Sequence, residues 1–343
     1  MKKIKTSVIG SYPRYPKLAG ADFNPRWLLV SENREDWIKN KTKDLQDEAV
    51  RWAVREQEET NIDIVSDGEQ RRTNYILYHC RHLDGFDFDN KEELICRGGK
   101  VKAIVPVIRG PIQATNLFLA DEFRFLQSLT KKEIKITIPG PLTIIDSVKD
   151  SYYFNQQKLA FDLAKAIQKE VSSLVEAGCS IIQIDEPVSI REPQKFFDFG
   201  LEALEKCFAG AEKISKEVHI CRGYPNSKRD TKAEIEAYGK VIEALSYSLV
   251  DAIAVEDAHE HLDLNIFKKF GQKKVILGVI NVGNPRVETV EEIEGRITEV
   301  LKIVSPENLL VAPDCGLLLL EPETAKAKLI NLTRAVKNIN MRL

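Results

Sequence analysis

Glu217-Val218-His219-Ile220-Cys221 is the stretch on which the reading of the fold turns. It is short and mostly β-branched or apolar, and it ends in an imidazole and a thiol. Such a run reads as a buried strand that delivers its chemistry at the C-terminal end. His219 and Cys221 are two apart, so on a strand both side chains point the same way and can share one ion. Two further runs end alike: Asp251-Ala252-Ile253-Ala254-Val255-Glu256, and Leu309-Leu310-Val311-Ala312-Pro313-Asp314-Cys315. His219, Cys221, Glu256 and Cys315 together make a complete tetrahedral set for zinc. Taken singly, His219 and each cysteine read better as a satisfied core histidine and inert core thiols; their joint placement favours a metal. Asp257, His259 and a water compete with Glu256 for the fourth position. Ligands gathered from separate strand ends point to a catalytic metal on a barrel rim rather than to a small structural finger.

Working outward, eight strand-like runs end near Ile9, Val65, Ile138, Ile184, Ile220, Val255, Val279 and Val311. Amphipathic helical patterns lie between them, at Asp44 to Thr60, Lys158 to Ala177 (closed by Gly178), Thr231 to Leu245 and Glu288 to Ile303. Eight strands alternating with helices predict an α/β fold, the (β/α)8 TIM barrel. A doubly wound open sheet is the runner-up, but no Gly-x-Gly-x-x-Gly follows the first strand. Residues 83–129 exceed what a βα connection needs and contain another strand-like run, Ile104 to Gly110. They predict a rim insertion, a hairpin and helix forming part of a lid. With no repeat or linker in view, residues 1–343 are expected to form one domain.

The 343 residues carry 30% charged and 43% hydrophobic side chains and a net charge of −2. That balance offers no electrostatic case for a nucleic acid or membrane partner. The N-terminal apolar stretch is too short for a signal peptide, and no run approaches the ~18 apolar residues of a membrane span. A cytoplasmic location is expected. The other cysteines, Cys80, Cys96, Cys179 and Cys207, are expected to be inert thiols rather than disulfides.

After each apolar run comes a polar cluster, and in a barrel these converge on one face. Asp67-Gly68-Glu69 and Asp185-Glu186 bring carboxylates there. Glu69 and Asp185 are candidates to hold a substrate ammonium, with one of them moving protons; the bland reading is salt bridges to Arg71, Arg72 or Arg191. Glu186 reads as structural. Gly10-Ser11 offers N–H groups and a hydroxyl for a carboxylate. A zinc site with two thiolates is suited to ionising a substrate thiol, which points to thiol alkylation before hydrolysis.

Taken in order, Ile9-Gly10-Ser11, Asp67-Gly68-Glu69, Pro139-Gly140-Pro141-Leu142-Thr143, Ile182-Gln183-Ile184-Asp185-Glu186-Pro187, His219-Ile220-Cys221, Val255-Glu256 and Pro313-Asp314-Cys315-Gly316-Leu317 resemble the catalytic C-terminal half of the cobalamin-independent methionine synthases. The resemblance spans nearly the whole chain. It implies a TIM barrel with zinc on His219, Cys221, Glu256 and Cys315. Homocysteine would bind zinc through sulfur, its amino-acid end held by Ile9, Gly10, Ser11, Glu69 and Asp185. Two features of the family are missing. The aromatic that stacks on folate has no counterpart in Ile144-Ile145-Asp146-Ser147-Val148, and the catalytic histidine falls at Gly283 within Val282-Gly283-Asn284-Pro285. A tetrahydrofolate leaving group needs protonation, whereas a corrinoid does not. The expected function is therefore homocysteine S-methylation from a methyl-corrinoid, with methyltetrahydrofolate as the alternative donor. Rival readings are a zinc alkyltransferase of the epoxyalkane:coenzyme M type, with which Cys221-Arg222-Gly223-Tyr224 is compatible, and a non-catalytic protein that stores or delivers a methyl carrier.

Overall fold

The computed structural model of the chain describes residues 3–20, 41–96, 101–223 and 233–343. Its strands are β1 (Lys5–Thr6), β2 (Ile64–Val65), β3 (Leu83–Cys96), β4 (Val101–Ala114), β5 (Glu133–Pro139), β6 (Lys149–Asp150), β7 (Ile181–Asp185), β8 (Ser215–Ile220), β9 (Ala252–Val255), β10 (Lys274–Gly278) and β11 (Leu309–Ala312). Eight of them pair in the order β1-β11-β10-β9-β8-β7-β5-β2. A parallel bridge between Ser7 and Ile64, with Val8 N–H donating to the Ile64 carbonyl at 3.3 Å, joins the two ends. The result is the TIM barrel expected from the eight apolar runs, with all eight in place.

Two apolar cores hold it. The larger lies between strands and helices and takes Ile136, Ile138, Ile182, Ile184, Val218, Ile220, Ile253 and Val255. The smaller fills part of the lumen with Ile9, Ile64, Ile181, Ala252, Ala254, Ile276, Leu310 and Ala312. The helix Gln156–Glu176 shows how the sequence specifies the outer layer. Asn155 caps it by accepting from Lys158 N–H at 2.9 Å, and Leu159, Leu163, Ile167, Val171 and Leu174 line one buried face. Burying each such side chain contributes about 1.5–3 kcal/mol. Gly178 ends the element in the left-handed region, at φ 93°.

The other helices sit close to their expected places, at Lys43–Glu59 and Val290–Val300. The one expected from Thr231 starts later, at Ala237. Thr231 is outside the described residues, but Ala233 N–H donates to the Arg222 carbonyl at 3.1 Å, which keeps the chain tied to the end of β8. Residues 83–129 do contain a hairpin and a helix. The added part is the hairpin β3–β4, which β6 joins as a third strand. The helix Leu119–Leu129 packs against the helices Lys43–Glu59 and Gln156–Glu176, so it belongs to the barrel's outer ring. Among the described residues no helix is long and apolar enough to cross a membrane.

Candidate active site

Parallel register places Asp185 beside His219, on neighbouring strands β7 and β8. Cys221 follows β8 by one residue, and Cys315 comes from the turn after β11. The Nδ1/Nε2, Sγ and Sγ atoms of His219, Cys221 and Cys315 lie within 4.8 Å of one another, and all three residues are buried. His219 Nδ1 sits 3.0 Å from Asp185 Oδ1, while its Nε2, also buried, has no hydrogen-bond partner among the described residues. A buried ring nitrogen without a partner costs about 1–3 kcal/mol unless something binds it.

The electrostatics point the same way. Burial opposes a charge on His219, yet Cys221 and Asp185 outweigh it and hold the ring's pKa up at about 10, so that a proton fills the place on Nε2 that a metal cation would take from it. The hydrogen bond to Cys221, then burial, push the Cys315 thiol well above its ordinary value. Two adjacent buried thiols cannot both ionise without a cation between them. The donor set, the orphaned nitrogen and the thiol pair therefore fit a thiophilic metal ion.

Glu256 stands apart from the cluster of three. Its Oε2 accepts from Arg222 N–H at 3.1 Å and its Oε1 from Arg222 Nε at 3.0 Å. Of the named competitors, the Asp257 carboxylate is also engaged. Asp257 holds Arg296 at 2.6 and 2.7 Å. The His259 N–H donates to Asp314 Oδ2 at 2.8 Å, and Asp314 also accepts from the N–H groups of Asp257 and Ala258. That carboxylate ties the exit of β9 to the turn that carries Cys315.

Across the lumen, Glu69 stands in the turn after β2. Asp67 Oδ1 accepts its N–H at 2.8 Å and helps hold Glu69 at φ 55°, a conformation that L side chains rarely adopt. Glu69 Oε1 accepts from Thr137 Oγ1 at 3.0 Å and from Arg72 at 3.4 Å. It also lies over Gly10, where a Cβ would come within 2.9 Å of it. Burial pushes the Glu69 carboxyl up, and Arg72 pulls it back. Among the described residues, Glu69 Oε2 and Asp185 Oδ2 accept no hydrogen bond. Each carboxylate is thus fixed by one oxygen and open at the other.

Glu186 plays the structural part. It is fully buried and accepts from Leu142 N–H, Thr143 N–H and Thr143 Oγ1 at 3.0, 2.7 and 2.5 Å, which seats the Pro141–Ile145 helix. A side chain at Gly140 would collide with this carboxylate. Of the three arginines, Arg72 pairs with Glu69, Arg191 with Asp146 and Arg71 with Asp47. Ile9 offers its carbonyl, which accepts from Gln183 Nε2 at 2.8 Å. The Gly10 carbonyl accepts from Ser66 Oγ at 2.6 Å, and the Ser11 carbonyl from Leu317 N–H at 2.7 Å. Cys80, Cys179 and Cys207 are buried, and burial raises the pKa of each; the Cys96 side chain and Tyr224 lie outside the described residues.

Sequence reasoning missed several residues. Lys135, Thr137 and Gln183 line the lumen beneath the site; Arg72, one of the arginines expected to pair with these carboxylates, stands behind Glu69. Their signal was polar residues at period two in β5 and β7. Tyr75 was also missed. Burial, then the charges of Asp185, Cys221 and Cys315, push its phenol well up, which keeps it protonated beside the cluster.

The model of a family described as the cobalamin-independent synthase catalytic domain matches residues 4–338. A methionine synthase of Thermococcus kodakarensis is 33% identical over 99% of this chain and 94% of its own length. A methionine synthase of Saccharolobus solfataricus is 32% identical over 99% of this chain and 96% of its own. Among solved structures, a B12-independent methionine synthase from Shewanella sp. W3-18-1, in complex with selenomethionine, superposes with a TM-score of 0.86. It is 28% identical and covers 99% of this chain and 98% of its own.

Proposed function

This chain belongs to the cobalamin-independent methionine synthase family, and we propose that it is a single-domain, zinc-dependent homocysteine S-methyltransferase that draws its methyl group from a methyl-corrinoid. Methylation of homocysteine to methionine is the family's reaction. The single observation that carries the reading is the convergence of His219, Cys221 and Cys315, with His219 Nε2 unpartnered, opposite two half-open carboxylates.

Zinc would be held by His219, Cys221 and Cys315, with Glu256 as the fourth ligand once one of its oxygens leaves Arg222. Bound there, zinc would lower the pKa of the homocysteine thiol so that thiolate is present at neutral pH. The protein's own groups do the rest. Glu69 Oε2 and Asp185 Oδ2 receive the substrate ammonium, while Ile9, Gly10 and Ser11 border its carboxylate end. Asp185 reaches both ends of the substrate, because its other oxygen orients His219. The sulfur attacks the donor methyl in line, the S–CH3 bond forms as the donor–CH3 bond breaks, and the electron pair leaves with the donor. Two open carboxylate oxygens suit an ammonium and repel a sulfonate, which disfavours coenzyme M as acceptor.

The choice of donor rests on two places, those where the family carries its proton donor and its stacking ring. Gly283 lies in a turn with its N–H on Asn281 Oδ1 at 2.8 Å, and Ile144 is buried in a short helix. Neither place offers a proton or a stacking ring for a folate. Cobalt leaves as Co(I) with no proton required. The reaction would take place in the cytoplasm, where thiols stay reduced. The test is to incubate purified protein with homocysteine and either methylcobalamin or methyltetrahydrofolate, and to quantify methionine. Faster turnover with methylcobalamin is expected. Folate turnover equal to or above it overturns the donor and leaves the thiolate chemistry standing. No methionine from either donor removes the proposal.

A further inference from the structure

We infer that Gln183 is a positioning residue of the metal centre, and that Lys135 sets the direction of its amide. Both side chains are fully buried in the lumen. Lys135 Nζ donates to Gln183 Oε1 at 3.0 Å and to the Val8 carbonyl at 3.2 Å, and lies 2.7 Å from Glu217 Oε2. On its other side Gln183 Nε2 donates to the Ile9 carbonyl and to Asp185 Oδ1, both at 2.8 Å.

The amide can be read in only one direction. An ammonium has no lone pair, so the atom facing Lys135 must be the oxygen. A carbonyl and a carboxylate have no hydrogen to give, so the atom facing them must be the NH2 group. The consequence passes upward through the site. Asp185 Oδ1 already accepts from Gln183 and stands 3.0 Å from His219 Nδ1. That second contact is a hydrogen bond only when Nδ1 carries the proton. The lone pair of neutral His219 then falls on Nε2, the atom left without a partner beside the thiols. Because one oxygen of Asp185 takes both bonds, the other stays open to the substrate amine. A chain from Lys135 through Gln183 and Asp185 to His219 thus sets the metal ligand's tautomer and the amine-binding oxygen together. Removing such an outer partner typically weakens metal affinity 10–100-fold.

The inference rests on the metal reading above, and its test does not need methyl transfer. Gln183→Glu puts an acceptor where Ile9 and Asp185 require a donor, and Gln183→Met keeps the length without either function. Metal affinity is read by chelator competition with Zn2+, the ligand field from the visible spectrum with Co2+ as probe, and homocysteine handling from KM against kcat. In whichever variants melt near the parent temperature, we expect affinity lowered at least 10-fold, a shifted Co2+ spectrum and KM raised more than kcat is lowered. A packing role alone would lower the melting temperature and leave affinity and spectrum unchanged; that result overturns the inference. Should the parent bind the metal yet never form methionine, the affinity and spectral shifts still decide the inference on their own.

Discussion

The two halves of the barrel lumen are built from different chemistry. On β5, β7 and β8 the inward residues include Ile181 at the base, and above it they are Lys135, Thr137, Gln183, Asp185, Glu217 and His219. On β9, β10 and β11 they are Ala252, Ala254, Ile276, Leu310 and Ala312. The apolar half is a packed core of small and branched side chains. The polar half is a hydrogen-bonded scaffold in which the charged groups are paired, as a buried charge must be. Both halves end on the same rim, and each delivers a thiol there. The carboxylate that orients the imidazole comes only from the polar half. The candidate metal ligands are therefore supported unequally: His219 is held from below by a chain of partners, and Cys315 by a turn that the Asp314 carboxylate braces.

The comparison is broken most forcefully at the ligands. Cys221→Ser and Cys315→Ser, one from each half, are each expected to lose most of the roughly one zinc per chain that a single site should hold. Both should keep the fold, since the ligands lie at the rim. Metal analysis and circular dichroism decide it, and stoichiometric zinc in both variants removes the metal centre.

A smaller loss is expected where the polar half meets the substrate. Glu69→Ala and Asp185→Asn each remove a charge-assisted contact worth about 1.5–3 kcal/mol, or roughly 10–150-fold in homocysteine affinity. Glu69→Ala should leave zinc in place. Asp185→Asn should also weaken it, because Asp185, unlike Glu69, touches His219. Titration calorimetry and chelator competition on the two variants separate these roles, and identical metal affinities would erase the difference.

Gly10→Ala sharpens the point without touching a charge. The added methyl would come within 2.9 Å of Glu69 Oε1 and 3.3 Å of Thr137 Cγ2. Displacing the carboxylate should raise the homocysteine KM roughly 5–10-fold, about 1–1.4 kcal/mol, with zinc content unchanged. A KM equal to the parent's would show that Glu69 is not held against Gly10.

The last effect lies outside the lumen and touches stability rather than the site. Glu170 accepts from Phe118 and Leu119 N–H groups at 3.1 and 3.4 Å, and burial raises its pKa from 4.5 to about 7. A carboxyl whose folded pKa is raised binds more protons in the folded state. Its contribution thus favours folding at low pH and is lost as pH rises from 4.5 through about 7. Glu170→Gln should flatten that slope by on the order of 1–3 kcal/mol between pH 5 and 8. Denaturant midpoints at the two pH values measure it, and an unchanged slope would place the titration elsewhere.

Much of this was legible in the chain. Eight apolar runs foretold eight barrel strands, because a strand covered by helices on one face and lumen on the other must be apolar at least every second residue. The spacing His219-x-Cys221 foretold a shared direction, since the strand period is two. The alternation in Glu133-Ile134-Lys135-Ile136-Thr137 is equally present and marks one face of that strand as polar. A charged residue facing a barrel lumen has no signal of its own until its partners are known.

Sequence alone determined the order of the strands, the residue types at their ends and the turn that carries Cys315, because these depend on local periodicity and on groups a few residues apart. Only the tertiary structure decided which of those ends meet. It set Asp185 beside His219 through the register of β7 and β8, drew Glu256 to Arg222 rather than into the cluster of three, and joined Lys135 to Glu217 and Gln183 across the lumen. Those contacts depend on the pairing and register of neighbouring strands, which bring together residues far apart in the chain, and on the requirement that every buried charge find a partner wherever the sheet places one.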